Sequence, residues 1–292
     1  MRRLEARGGP AGRYEKGMTM RSSNTHLLRP VEGSCLAART ASRRAIGPIL
    51  VVVLALGAAA CAGQRVEERI QLPEIAKFSA RTPGMSLPAG WQPWQFAGLK
   101  KPTEYRLVEA DGRTVLQALS QSSASGFVHP VKVDLREYPY LHWQWMVPAL
   151  IEGADNSRRH AEDAPVRVIV AFEGDVEKLP LADRLFFGQF KLFTKTELPY
   201  ATLMYIWENR QPVGTVLTSE HTSRIKMVVA ESGPTSTGEW QALVRNVRED
   251  YLRAFGEEPP PVKSIAVMTD SDNTGRSATA FYGDIAFTRT PD

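Results

Sequence analysis

Tyr140-Leu141-His142-Trp143-Gln144-Trp145-Met146-Val147 alternates apolar and polar character almost without a break. Period two is the side-chain repeat of a β-strand, so Leu141, Trp143, Trp145 and Val147 share one face, and His142, Gln144 and Met146 the other. Aromatics flanked by Leu and Val at that spacing read as core, which assigns Trp143 and Trp145 to the interior. Residues 166–173 repeat the pattern, with Val166, Val168, Val170 and Phe172 opposite Arg167, Ile169, Ala171 and Glu173. Outward from these two strands, residues 105–119 form a hairpin on Asp111-Gly112, a two-residue turn signal. Further strands are expected at 126–135, 201–209, 224–232, 264–270 and 278–288. About nine strands separated by turn residues predict a mostly β chain: an antiparallel, jelly-roll-like β-sandwich.

Two accessory helices are expected. Residues 180–193 carry a wide apolar arc, with Leu181 and Leu185 at one spacing and Phe186, Phe190 and Phe193 at another. The second is predicted from a capping box, Ser236 and Glu239, through Leu243, Val247, Tyr251 and Phe255 at every fourth position. Gly256 then ends it, and Pro259-Pro260-Pro261 forbids its continuation.

The formal charge of +4 over 292 residues invites a nucleic-acid reading, but ten basic and only three acidic residues lie in 1–60. That leaves 26 basic and 29 acidic residues in 61–292, a net charge of −3, which removes the electrostatic support for a phosphate-backbone partner. Residues 45–60, AIGPILVVVLALGAAA, follow Arg39, Arg43 and Arg44 and precede Cys61. A basic region, a short apolar run and small residues make an export signal. The run is shorter than the roughly 20 apolar residues of a spanning helix. LALGAAAC resembles a bacterial lipobox, although Ala58 stands where lipoproteins usually carry Leu; Ala58-Ala59-Ala60 equally suits ordinary cleavage, and an uncleaved anchor is a third route. The expected organisation is a leader at 1–60, a polar tether at 61–75 and a single sandwich domain at 76–292. Lipidation at Cys61, with Ala62 following, predicts a periplasmic protein anchored to the outer membrane of a Gram-negative cell, and ordinary cleavage predicts a secreted one. With Cys35 in the leader, at most one cysteine remains, so neither an internal disulfide nor a cysteine zinc site is expected.

Six long segments carry a family resemblance. LREYPYLHWQWMV (135–147), IEGADNSRRHAEDAPVRVIVAFEGD (151–175), LPYATLMYIWENRQPVGTV (198–216), VVAESGP (228–234), RNVREDYLRAFGEEPPPV (245–262) and MTDSDNTGRSATAFYGDI (268–285) occur in fixed order. Together they resemble the bacterial domain-of-unknown-function family 3047, from about Phe78 to Phe287. The resemblance implies a secreted or periplasmic β-sandwich and no established activity. The layout is also similar, by architecture alone, to galactose-binding and carbohydrate-binding jelly rolls.

The candidate ligand-binding residues are Arg167, Glu173, Tyr205, Trp207, Asn209 and Glu231. They lie on or at the ends of strands, where aromatic rings would stack on sugars and polar groups would meet hydroxyls. The loop at 151–163 is long and charged enough to hold part of a site, although its lone His160 reads as a solvated residue. Asp270-Ser271-Asp272-Asn273-Thr274-Gly275 has the spacing of the first half of a calcium loop. Phe281 in place of the terminal Glu excludes an EF-hand. Asp270, Asp272 and Asp284 are therefore the candidates for a structural calcium, with an Asx turn as the alternative; no other cofactor is expected. The leading functional expectation is a non-catalytic, envelope-attached sandwich that binds a glycan or another envelope ligand. The alternatives are a polysaccharide hydrolase or lyase using Glu173, Glu231, Asp270 and Asp272, and a structural lipoprotein contacting another envelope protein.

Overall fold

The computed structural model describes residues 74–96, 100–194 and 196–292. The leader, Cys61 and most of the expected tether lie outside the described residues. Thirteen strands and two α-helices are described: β1 (Glu74–Ala76), β2 (Gln92–Gln95), β3 (Glu104–Ala110), β4 (Arg113–Gln121), β5 (Ala124–Val133), β6 (Tyr140–Met146), β7 (Arg167–Phe172), α1 (Leu181–Thr194), β8 (Ala201–Glu208), β9 (Val216–Thr218), β10 (Ile225–Ser232), β11 (Gln241–Asn246), α2 (Val247–Phe255), β12 (Val262–Asp270) and β13 (Ser277–Thr288). They form two sheets. The six-stranded sheet runs β11-β6-β13-β4-β3, with β1 also on β13, and the seven-stranded sheet runs β2-β5-β12-β7-β8-β10-β9. Pairing is antiparallel except between β8 and β10, which run parallel. The chain is an antiparallel-dominated, jelly-roll-like sandwich with two helices.

The core lies between the sheets and follows the alternation. Leu141, Trp143 and Trp145 from β6 face Val168, Val170 and Phe172 from β7 and Leu203, Tyr205 and Trp207 from β8. Trp143 packs on Tyr205 with ring centroids 4.9 Å apart, and edge-on against Trp145 at 5.4 Å. At roughly 25 cal/mol per Å² of buried apolar surface, each such ring contributes several kcal/mol.

The seven-stranded sheet is apolar on its outer face as well. Ile169, Met204, Ile206, Met227, Val229, Ala266 and Met268 form a second cluster there, with Trp94 and Phe96 against it. Helix α1 is tied to this side. Phe190 meets Phe96 edge-on at 6.5 Å, and Phe186 stacks on His221 at 5.6 Å. Thr222 Oγ1 (2.5 Å), Ser223 N (2.9 Å) and Ser223 Oγ (2.7 Å) donate to the Asp183 carboxylate near the helix start.

The second predicted helix needs correction. Residues 241–246 are a strand, β11, paired with β6, and the helix begins only at Val247. Its N-cap is Asn246, whose side chain accepts from Glu249 N at 3.2 Å. Ser236 and Glu239 sit in a turn instead, with Glu239 N donating to Ser236 O. A repeat of four misleads because it is also two strand periods: Leu243 faces inward from a strand, opposite Trp143. The predicted stop holds, since Gly256 is left-handed (φ 73°) and its N–H closes on Leu252 O.

Candidate functional site

The six predicted ligand residues do not converge. Tyr205 and Trp207 are fully buried between the sheets. Their polar atoms are spent inside: Tyr205 donates to Asp250 Oδ2 at 2.9 Å, and Trp207 Nε1 donates to Gly233 O at 3.0 Å. They are core residues, not a stacking shelf. The cause is sheet register: Tyr205 pairs with Val168 and Val228, which are also interior. Arg167 faces the opposite side of the same sheet. Glu173 is exposed beyond the far end of β7, and Asn209 donates to Ile151 O at 2.7 Å beyond the end of β8.

Arg167 is 2% exposed. Its Nε and Nη2 donate to the two Asp270 oxygens at 2.9 and 3.0 Å, and Nη2 also donates to Glu162 O (2.9 Å) and Asn156 Oδ1 (3.3 Å). Among the described residues, Nη1 meets only the thioethers of Met227 (3.4 Å) and Met204 (3.8 Å). Burial works against the charge, but Asp270 and Glu162 outweigh it and hold the guanidinium protonated beyond its usual range. The pair seals the outer apolar cluster at the loop end. The loop at 151–163 folds down onto it: Asp163 accepts from Asn273 N (3.1 Å), Thr274 N (2.7 Å) and Thr274 Oγ1 (2.7 Å). Glu208 is fully buried and accepts from the backbone N–H groups of Asn156, Arg210 and Gln211. Glu231 is half-buried, and burial pushes its carboxyl above the usual range. Glu162 is raised for the same first cause.

The calcium set is divided as well. Asp284 lies on the other sheet, where its carboxylate accepts from Ser79 N (2.9 Å) and Ser79 Oγ (2.5 Å). Carboxylate oxygens of Asp163, Asp270 and Asp272 do lie within 4.8 Å of one another. Arg167 already binds Asp270, Lys100 binds Asp272, and backbone N–H groups bind Asp163. Two of the three carboxylates hold protein cations, so this donor set does not fit a further divalent ion.

An open cleft of about 200 Å³ lies instead on the outer face of the six-stranded sheet, lined by His142, Gln144, Ala242, Val244, Asp284 and Ala286. It is built by register: Ala242 pairs with Gln144, Val244 with His142, and His142 with Ala286. At Gly283 an added Cβ would lie 3.0 Å from Gln144 Cβ, so the missing side chain lets Gln144 lie across β13. Over that gap Arg113 Nη1 donates to Gln144 Oε1. His142 Nε2 shares a 2.7 Å hydrogen bond with Thr288 Oγ1. Among the described residues nothing accepts from the Gln144 amide nitrogen. The cleft therefore offers the uncommitted N–H groups of the Gln144 amide beside the small aliphatic side chains of Ala242, Val244 and Ala286. The alternation of residues 140–147 already turns His142 and Gln144 away from the core. Which residues flank them from β11 and β13 is not written in that strand.

A family profile described as "Protein of unknown function (DUF3047)" matches residues 89–286. This chain belongs to family DUF3047. No curated protein matches it. Among solved structures, this DUF3047 chain is similar to the xyloglucanase domain of NopAA, a type three effector from Sinorhizobium fredii. That match has 10% identity and a TM-score of 0.36, covering 74% of this chain and all of that one. It is similar to Trichoderma harzianum endoglucanase 3 from family GH12 at 9% identity and a TM-score of 0.33, covering 70% and all of the two chains. Against the arabinose-bound MgGH51 α-L-arabinofuranosidase the identity is 12% and the TM-score 0.35. There, 74% of the DUF3047 chain spans about a quarter, 26%, of the enzyme. Likenesses of that level say nothing about a ligand.

Proposed function

We propose that this protein is a non-catalytic, envelope-attached sandwich that binds a glycan on the outer face of its six-stranded sheet. The carrying observation is the cleft at Gln144, where the Gln144 amide, held by Arg113, and the His142 imidazole, held by Thr288, lie beside Ala242, Val244 and Ala286. Sugars present hydroxyls around apolar C–H faces, and such a surface meets both. Asp284 is the carboxylate in the cleft lining, and Ser79 engages it. A glycosidase needs two carboxylates flanking the bond, so the cleft favours binding over hydrolysis. Attachment through a lipid on Cys61, facing the periplasm from the outer membrane, completes the proposal. A glycan array probed with the purified protein and with Gln144→Ala tests it. Binding that Gln144→Ala weakens supports the reading, and no bound sugar sinks it.

Glu231 favours a second reading. Its carboxyl is half-buried, pushed above the usual range by burial and without a hydrogen-bond partner among the described residues, and a general acid is tuned in that direction. The hydrolase reading also needs a free second carboxylate, and Arg167 and Lys100 already engage Asp270 and Asp272. Reducing-end release from envelope polysaccharide, lost in Glu231→Gln, would revive it.

A further inference from the structure

Trp240 immediately precedes β11, one strand period from Ala242 and two from Val244, both of which line the cleft. Its indole is fixed on two sides by the β3–β4 hairpin turn. Asp111 Oδ2 accepts from Trp240 Nε1 at 2.7 Å, and the Arg113 guanidinium lies 4.1 Å from the ring centroid. The same guanidinium donates to Gln144 Oε1 across the gap at Gly283. Arg113 thus links the aromatic ring to the cleft side chain as one unit. No other ring or cation lies against Trp240 among the described residues.

We propose that the binding surface extends from His142 and Val244 past Gln144 to Trp240, and takes an oligosaccharide rather than a single sugar. Trp240 stacks on a ring beyond the one held at Gln144. The span from Val244 to Trp240 is about 13 Å at the strand rise, longer than one sugar ring. Holding the indole by its N–H and one face removes rotamer freedom before the ligand arrives, which favours affinity at an exposed site. This rests on the glycan reading above and names its ligand class.

The experiment is an array printed with each sugar as monomer, dimer and tetramer, probed with the wild type, Trp240→Ala, Trp240→Phe and Gln144→Ala. The tetramer of the recognised series should bind about tenfold better than its monomer, as a stacking contribution of about 1.4 kcal/mol implies. Trp240→Ala should bring the tetramer down to the monomer level, and Trp240→Phe should keep most of the gain. Melting curves of the variants check that each is folded. Equal binding of monomer and tetramer, or a tetramer signal untouched by Trp240→Ala, overturns the extension and leaves the single-ring cleft standing if Gln144→Ala still loses binding. No binding to any printed sugar overturns both.

Discussion

Arg167 shows how a strand-face arginine can be structural rather than receptive. Its pattern, an arginine among Ile169 and Ala171, is compatible with an open rim, and only the packing shows that Asp270, Asn156 and the Glu162 carbonyl take up its donors. Removing one member of such a buried pair leaves an uncompensated charge, so Arg167→Met should cost about 3–5 kcal/mol. Arg167→Met with Asp270→Leu should recover most of that, because an apolar pair needs no desolvation. Urea unfolding of the two variants checks both. Glu231 gives the opposite case. Its folded carboxyl retains a proton more readily than in the unfolded chain, so ionising it at neutral pH weakens the fold. Glu231→Gln should therefore raise the melting temperature at pH 7. The difference should shrink as pH falls through the raised folded value and vanish below the ordinary Glu value of about 4.3, where the wild type is protonated in both states. A gap that widens on acidification would contradict this.

At the scale of elements, period two was reliable and period four was not. Strand β6 was legible because one face is buried and a slip of one residue would expose every large side chain, whereas β7 is buried on both faces and showed its inward set through the Val166-Val168-Val170-Phe172 alternation. The helix boundary at Val247 was not, because Leu243 satisfies a strand and a helix spacing equally. Helix α1 is the element with the most unusual surface. Its Leu181, Leu185, Leu192 and Phe193 are each about 60% exposed or more, while Asp183 joins its first turn to the loop at 219–224. Burial raises the Asp183 carboxyl, and hydrogen bonds from Ser223 and Thr222 outweigh that and lower it. This anchor is therefore at full strength above the unfolded Asp value and fades as pH falls through the lowered one. Asp183→Ala should cost about 1–3 kcal/mol by leaving Thr222 and Ser223 without an acceptor. In hydrogen exchange, the amides of 181–194 should open first. Unchanged protection of α1 would mean that Phe187 and Phe190 hold it without the carboxylate.

For the whole molecule, two sheets close over an aromatic core. EDTA should leave the melting temperature unchanged, and millimolar calcium should not raise it, because Arg167 and Lys100 already neutralise Asp270 and Asp272. A calcium-dependent rise would restore the metal reading of that turn. By itself the sequence determined the sandwich class, the inward set of Trp143, Trp145, Val168 and Val170, the Asp111-Gly112 turn and the Gly256 stop. Each of these follows from local periodicity or from one residue's backbone preference. Only the tertiary structure decided that Tyr205 and Trp207 face the core, that Arg167 meets Asp270, and that His142, Gln144, Asp284 and Trp240 share an open face. Those facts depend on which strands are neighbours and in what register. Neighbourhood is set by the packing of the entire sheet pair, and no single strand carries it.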